Sequence, residues 1–126
     1  MGKACIAFNM EDVAAALAHI HRSFEMQIDY GDRAYGHCLQ PWDEGGRCLF
    51  WCKACGGYLL RQESEFHSFC GDDSYYVDYY PVSGLEEADQ LNRMYDGGTL
   101  ELCFPKRYLS STNGRWRWRK GFKQHD

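Results

Sequence analysis

The chain has 126 residues, of which 44% are hydrophobic and 16% aromatic, and its formal net charge at pH 7 is −4. This length and composition favour one folded domain with its own hydrophobic core and exclude an intrinsically disordered protein. No apolar run approaches the roughly 20 residues of a membrane-spanning helix, and no signal-peptide pattern opens the chain. Seven cysteines, an odd number, fit a reducing cytoplasmic setting in which cysteines bind metals or remain thiols.

The charges are segregated along the chain. Residues 63–101 contain ten acidic side chains and one arginine, whereas residues 102–126 contain seven Lys and Arg side chains and a single acidic residue. Segregation of this kind bears on the choice of binding partners rather than on the fold. The acidic stretch and the basic C-terminal stretch are therefore candidate binding surfaces.

Residues 1–28 are predicted to contain an amphipathic helix. Asn9 has the chemistry of an N-cap and is followed by two acidic residues, which favour the positive end of a helix dipole. The pattern predicts an end to the helix near Met26, and His19 is interpreted as a solvent-facing or half-buried histidine without a metal role. The apolar residues at spacings of four, three and four define its buried face: Val13, Leu17, Ile20 and Phe24.

Residues 29–46 are rich in glycine and scattered charges, which predicts a long irregular connection. The core of the domain is predicted over residues 47–126. It begins with two apolar runs on either side of a Cys-x2-Cys-Gly-Gly turn, typical of two antiparallel strands joined by a zinc knuckle. Glycine after the second cysteine supplies the positive φ that such a turn often needs.

Two close pairs of metal donors follow one another in this region. Their pattern is Cys-x2-Cys-x11-His-x2-Cys, and four such donors in two tight turns suit a tetrahedral zinc ion. The sequence therefore predicts a structural zinc site. Its predicted ligands are Cys52, Cys55, His67 and Cys70.

Other interpretations of the cysteines stay open. Cysteine packs well as a small hydrophobic residue, and the apolar neighbours of Cys5, Cys48 and Cys103 favour that role for these three. A redox Cys-x2-Cys usually opens a helix, whereas this one leads into a predicted strand. The pair His37-Cys38 is an alternative source of the remaining ligands.

The C-terminal half predicts further strands and a second helix. Residues 75–82 are aromatic and β-prone, and a capping box at Ser83–Glu86 opens a helix to Met94 whose buried stripe is predicted from Leu85, Ala88, Leu91 and Met94. Residues 99–104 alternate as in another strand. Asn113-Gly114 predicts a terminal hairpin, with two Trp on one face and three Arg on the other. The predicted fold class is α+β, an antiparallel sheet with two amphipathic helices.

From Cys52 to Trp118, a little over half the chain, the sequence resembles small bacterial proteins of no assigned function, of the kind found in phages and mobile elements. The shared motifs are the CxxCG turn, residues 64–67, residues 72–82, residues 86–92, Asp96-Gly97 and the final Thr-Asn-Gly-x-Trp-x-Trp at residues 112–118. Inhibitors of host defence are common in such elements. The resemblance itself assigns no activity to the chain, and the association with such elements suggests a small inhibitor, for example of the anti-CRISPR type.

The sequence leads to a non-enzymatic binding protein as the first hypothesis. A carboxylate-rich surface with tyrosines can occupy a basic nucleic-acid groove of a protein partner through charge complementarity. Such a protein inhibits or adapts its partner and has no catalytic residues of its own. The predicted contact residues are Glu63, Glu65, Asp72, Asp73, Asp78, Glu86, Glu87 and Asp89.

The alternative hypothesis is a zinc-ribbon protein that binds nucleic acid through its basic C-terminal hairpin. The acidic net charge of the whole chain argues against it. A small zinc-dependent hydrolase is a third hypothesis, which four protein donors disfavour because catalytic zinc keeps one position for water. The predicted nucleic-acid contacts are Lys106, Arg107, Arg115, Arg117, Arg119 and Lys120.

Overall fold

The computed structural model describes residues 2–33, 42–66, 74–95, 100 and 106–121. Over these ranges the predicted α+β class is confirmed, with an antiparallel six-stranded sheet and two α-helices. None of the helices in the same ranges is long and apolar enough to cross a membrane. The elements are a 3₁₀ turn Ile6–Asn9, α1 Val13–Ser23, β1 Phe24–Arg33, β2 Trp42–Cys52, β3 Tyr58–Phe66, β4 Ser74–Val82, α2 Leu85–Met94, β5 Arg107–Thr112 and β6 Arg115–Lys120.

The strands lie side by side in chain order, from β1 at one edge to β6 at the other. Successive side chains of a strand point to opposite faces of a sheet, and each face has its own hydrophobic cluster. The α1 face is packed by Ala16 and Ile20 of α1 against a cluster that includes Phe50. The α2 face is packed by Ala88 of α2 against a cluster that includes Leu49. The sheet is therefore covered by one helix on each face.

The two predicted hairpins are confirmed. β2 and β3 pair across the Cys-x2-Cys turn, with Trp51 opposite Tyr58. Asn113 and Gly114 both adopt positive φ, 52° and 87°, as the tight turn between β5 and β6 requires. Trp116 and Trp118 are half-buried and pack against the α1-face cluster, so the Trp side of the last strand lies against the core.

The predicted irregular connection at residues 29–46 is wrong at both of its ends, and its middle, residues 34–41, lies outside the described residues. The predicted helix end near Met26 is also wrong. The helix α1 stops at Ser23 and its N-cap is Asp12, which accepts a hydrogen bond from Ala15 N–H at 3.2 Å. Strand β1 then takes residues 24–33, and β2 already begins at residue 42. The register of β1 against β2 shifts twice, and such bulges interrupt the two-residue alternation by which a strand is recognised.

The second helix begins one residue later than its predicted capping box. Its N-cap is Gly84, and Ser83 N–H donates to the Glu87 carboxylate at 2.7 Å. The predicted stripe is correct for two residues only, since Leu85 is 50% and Met94 62% exposed. The helix touches the sheet through a narrow stripe centred on its buried alanine. Apart from residue 100, which is buried, the predicted strand at 99–104 lies outside the described residues.

Candidate metal centre

Four metal-binding side chains from three parts of the chain meet beside the β2–β3 turn. Their ligand atoms all lie within 4.8 Å of one another, close enough to hold one metal ion. Two of the four are buried and two are half-buried, which shields the centre from water. This Cys₃His cluster consists of Cys5 before the 3₁₀ turn, His19 in α1, Cys52 at the end of β2 and Cys55 in the turn.

The turn between β2 and β3 orients the two local cysteines. Cys52 N–H donates to Gly57 O at 2.8 Å, and Gly56 N–H donates to Cys52 O at 2.7 Å. Gly56 has a φ of 75°, a conformation that favours glycine. The turn therefore folds back on itself and directs both thiols to one side, as the sequence predicted for a knuckle.

The N-terminal segment brings the third cysteine against this turn. Cys5 N–H donates to Tyr58 O at 3.0 Å, and Tyr58 N–H donates to Lys3 O at 2.9 Å, in a short parallel bridge beside β3. A Cβ atom on Gly57 would lie only 2.6 Å from the Ala4 carbonyl oxygen and from the Cys5 Cα. The absence of a side chain at residue 57 is what allows the two backbones to approach so closely.

The histidine reaches the cluster from α1. His19 is half-buried and flanks the buried stripe that packs on the sheet. The C-terminal end of the helix is tied to the same turn, since Lys53 N–H donates to Ser23 O at 2.9 Å. Helix, turn and N-terminal segment thus converge on one point of the α1 face.

Two of the donor–donor distances in the cluster are close to those of a tetrahedral zinc site. With zinc–sulfur bonds of about 2.3 Å and zinc–nitrogen bonds of about 2.0–2.1 Å, tetrahedral geometry places two sulfurs about 3.8 Å apart and a sulfur and nitrogen about 3.6 Å apart. The Cys5 and Cys55 Sγ atoms are 3.8 Å apart, and the Cys52 Sγ is 3.4 Å from His19 Nε2. These cysteines are free thiols, and thiolate with imidazole is a donor set compatible with zinc.

Two of the cysteines differ in how readily they form the thiolate that binds a metal. Burial would raise the pKa of Cys55, but hydrogen bonds from His19 and from the N–H groups of Ile6 and Gly57 hold it down at about 6. Burial raises the pKa of Cys5 to about 12. One sulfur is therefore ready as a thiolate at neutral pH, whereas the other must give up a proton before it can bind a metal.

We expect zinc binding to release protons. At pH 7 the metal-free chain holds Cys5 as a thiol and Cys55 largely as a thiolate, given pKa values of about 12 and about 6. Zinc should therefore displace at least about one proton, and its affinity should fall further below pH 6, where Cys55 also binds a proton. Calorimetry in buffers of different ionisation enthalpy measures the number. Proton-free binding at pH 7 would contradict a Cys5 thiolate ligand.

The predicted ligand set stands half inside this cluster. Cys52 and Cys55 belong to it, whereas His67, Cys70 and the alternative pair at residues 37–38 lie outside the described residues. His19 was interpreted as a residue without a metal role and Cys5 as a core residue, and the structure places both among the four donors of the cluster. The packing role of Cys5 is itself real, because it is 1% exposed and part of the α1-face core.

The sequence contains only a faint signal for the two missed residues. Cys5 is a donor near one end of the chain with no partner at knuckle spacing. His19 lies three residues after the buried Ala16 and next to the buried Ile20, so the helical period turns it partly toward the core. The pairing of the N-terminal segment with Tyr58 brings Cys5 to the turn, and the packing of α1 brings His19 there.

The acidic residues predicted to bind a partner do not form one surface. Asp78 is fully buried, so its assignment to an exposed contact surface is wrong. It lies opposite Gln62 and Ser110 in the sheet register, and its position in β4 directs it to the face that α2 covers. Asp72 and Asp73 lie outside the described residues.

The acidic residues of α2 stand apart from those of the sheet. Glu86 is exposed. Glu87 accepts the Ser83 N–H, and Asp89 accepts a hydrogen bond from the Tyr30 hydroxyl at 2.5 Å. Two of these three carboxylates therefore already have structural roles on the α2 side of the sheet.

A second acidic group lies on the α1 face, beyond the part that α1 covers. We call it the acidic patch and define it by Asp29, Glu63, Glu65 and Tyr75 around Arg61. Arg61 forms an ion pair with Glu63, and the Tyr75 hydroxyl donates to Glu63 Oε2 at 2.6 Å. Three carboxylates and one guanidinium leave the patch negative, and the exposed Tyr75 lies opposite Glu65 in the register.

The basic residues of the terminal hairpin separate into two groups. Lys106, Arg107, Arg119 and Lys120 line one open pocket together with Trp118. The other two predicted residues, Arg115 and Arg117, are exposed toward the Asn-Gly turn and do not line that pocket.

Comparisons with protein-family models, with curated proteins and with solved structures gave no match for the chain. The fold and the cluster by themselves define an α+β protein with a candidate metal centre of three thiols and one imidazole.

Proposed function

We propose that this protein is a non-enzymatic binding protein, stabilised by one structural zinc ion, that binds a protein partner through its acidic patch. The observation that carries the proposal is the presence of four protein donors whose ligand atoms lie within 4.8 Å of one another. Catalytic zinc sites have three protein ligands and keep the fourth position for water or substrate. A metal with four protein ligands stabilises a fold, and the function of such a protein then depends on what its surface binds.

The place of the cluster in the fold supports a structural role. The four donors come from the N-terminal segment, α1 and the β2–β3 turn. A single ion bound there would link these three segments and hold α1 against its face of the sheet. Three cysteines and one histidine are also one of the common donor sets of structural zinc sites.

The exposure and chemistry of the acidic patch support a protein partner. Tyr75 is 39% exposed, and Asp29 is exposed at the other side of Arg61. Tyrosine supplies rigid, amphipathic contact area and is enriched in protein interfaces. The surrounding negative charge attracts and orients a basic surface during encounter. A partner whose nucleic-acid-binding groove is basic would be inhibited, or linked to another protein, by such a contact.

Neutralising the acidic patch should weaken partner binding without unfolding the protein. We expect the double variant Asp29→Asn/Glu65→Gln to bind the partner at least about tenfold more weakly at low salt, because both charges contribute to steering and complementarity. Asparagine at residue 29 keeps the side-chain oxygen that accepts Gly31 N–H at 2.8 Å. The measurement is quantitative affinity capture from bacterial lysate, followed by biolayer interferometry with the purified partner at two salt concentrations.

A matched variant separates the patch from net charge. Glu11→Gln/Glu86→Gln removes the same two charges at exposed positions outside the patch and should bind within about twofold of the wild type, since distant surface charges are screened beyond about 8 Å at physiological ionic strength. Equal weakening by both double variants would show that net charge, and not the acidic patch, determines partner binding. Failure of the wild type to capture any saturable partner would contradict the proposed function.

A further inference from the structure

The pocket at the start of the terminal hairpin has a composition unlike the rest of the protein. It is open and has a volume of about 600 Å³. Its lining consists of four cationic side chains and one indole ring: Lys106, Arg107, Arg119, Lys120 and Trp118. We call it the basic pocket. In a chain of net charge −4, this concentration of positive charge needs a local explanation.

The aromatic part of the basic pocket is held rigidly. The Arg107 guanidinium carbon lies 3.8 Å from the centre of the Trp118 ring. The same guanidinium donates to Phe8 O at 2.7 Å and to Met10 O at 2.8 Å, while Trp118 Nε1–H donates to Glu11 O at 3.0 Å. Backbone carbonyls thus fix both members of a flat guanidinium–indole stack.

The lysines supply mobile positive charge at the rim. Lys106 and Lys120 are exposed, and the Lys106 side chain retains 58% of its accessible surface. Two carboxylates lie nearby, Glu87 at 3.9 Å from Lys106 and Glu11 at 3.8 Å from Arg107. Both contacts are long. The Arg119 guanidinium reaches Thr112 Oγ1 at 3.4 Å, toward the turn, and the three remaining cations against two carboxylates still leave the pocket positive.

Protection of a sheet edge does not account for this cluster. Charged side chains on an edge strand discourage pairing with other chains, which suffices for Arg115 and Arg117 on the edge strand β6. Arg107 begins β5, which lies between β4 and β6, and Lys106 precedes it. The Arg107 guanidinium lies over the Trp118 ring on one face of the sheet rather than along an edge, so edge protection does not explain it.

We propose that the basic pocket binds single-stranded nucleic acid, with Lys106 and Lys120 on the phosphates and a base stacked on the Trp118–Arg107 pair. Single strands are bound where a positive groove follows the backbone and flat groups stack on the bases, and guanidinium planes as well as aromatic rings serve as stacking surfaces. An acidic peptide would use the charges but has no flat base for the stack. A continuous duplex keeps its bases paired and stacked internally.

This inference is independent of the proposed protein partner. Tyr75 of the acidic patch accepts a hydrogen bond from Asn113 N–H at its carbonyl, so the patch lies at the turn end of the β5–β6 hairpin. The basic pocket lies at the other end, where Arg107 pairs with Lys120. Five residues of strand separate the ends by about 17 Å, which lets the two surfaces act without interference.

Fluorescence anisotropy with a labelled thymidine oligonucleotide of about 20 nucleotides tests the proposal on the full-length chain. With two phosphate contacts, from Lys106 and Lys120, the affinity should fall about sevenfold between 50 and 200 mM salt. An abasic oligomer of equal length should bind at least about fivefold more weakly, because it lacks the stacking contribution. The double variant Lys106→Gln/Lys120→Gln should bind at least about tenfold more weakly, with a salt slope shallower by about 1.4.

The matched control is Arg115→Gln/Arg117→Gln, which removes two positive charges from the other end of the same hairpin. It should bind within about threefold of the wild type, and both double variants should keep their melting temperature because the changed side chains are exposed. Equal loss in the two double variants overturns the assignment to the pocket. Equal binding of the abasic oligomer, of polyglutamate or of a duplex overturns the single-stranded ligand, and no binding at 50 mM salt overturns the proposal altogether.

Discussion

Replacing Cys5 by serine should remove about one zinc ion per chain and lower the melting temperature by about 10–20 °C. A ligand present at about a thousand times its dissociation constant stabilises the folded state by about 4 kcal/mol. For a domain of this size that free energy corresponds to a shift of this order. Native mass spectrometry before and after chelation gives the metal content, and calorimetry gives the melting temperature.

Cys5 is the decisive residue because it distinguishes two possible ligand sets. If the ion is bound by Cys5, His19, Cys52 and Cys55, whose ligand atoms lie together, then Cys5→Ser loses the metal and Cys70→Ser keeps it. The set predicted from sequence spacing gives the reverse result. Loss of zinc in Cys70→Ser with full zinc in Cys5→Ser would therefore overturn the centre described above.

A matched control removes a thiol that is not in the cluster. Cys48 is half-buried in β2, and its Sγ lies 3.7 Å from an Asp29 carboxylate oxygen. Cys48→Ser should keep its zinc and change the melting temperature by only a few degrees. A large loss of stability in this variant would show that any buried thiol matters as much as those of the cluster.

The features that the sequence predicted correctly are local ones. The Asn113-Gly114 hairpin, the β2–β3 turn and the aromatic strand β4 each depend on residues only a few positions apart. The buried face of α1 also follows from its own periodicity through Val13, Leu17 and Ile20. Turn chemistry and side-chain periodicity specify such elements from local sequence, without any tertiary contact.

The metal centre was predictable only in its local half. The Cys52 and Cys55 spacing identifies one pair of donors, because both lie in one turn. The other pair depends on the bridge between Ala4 and Tyr58 and on the docking of α1. Contacts over such separations leave no spacing pattern in the sequence. The predicted zinc site was therefore completed with the nearby donors at residues 67 and 70, which lie outside the described residues.

Buried polar residues made the polar–apolar pattern of the strands a poor guide to burial in the sheet. Asp78 lies between Val77 and Tyr79 in β4, Gln62 lies in the polar part of β3, and both are fully buried. A polar side chain in alternation normally indicates the solvent face of an antiparallel sheet. Here both faces are covered by helices, so the alternation does not separate inside from outside. The same effect explains why nothing in the sequence singled out Arg47.

Arg47 is a fully buried charge that connects the sheet to the end of α2. Its Nε donates to Gln62 Oε1 at 3.0 Å, while its guanidinium nitrogens donate to Asn92 Oδ1 at 3.3 Å and to Tyr95 O at 3.1 Å. The last carbonyls of a helix have no partner within the helix and carry partial negative charge. Arg47 donates hydrogen bonds to such carbonyls from its position in β2, so it fixes α2 on the sheet.

Replacing Arg47 by methionine should destabilise the protein by about 2–6 kcal/mol, because the Asn92 and Tyr95 carbonyls lose their donor at about 1–3 kcal/mol each. An apolar substitute can be harmless where all members of a buried polar group are replaced together. That compensation is not available here, since two of the acceptors are backbone carbonyls at the end of α2. Chemical denaturation measures the loss, and hydrogen exchange of the α2 amides shows where it occurs.

Arg93→Met, at an exposed position of the same helix, should change stability by no more than about 0.5 kcal/mol. If the two substitutions had equal effects, or if α2 kept its protection in Arg47→Met, the arginine would not be what holds the helix to the sheet.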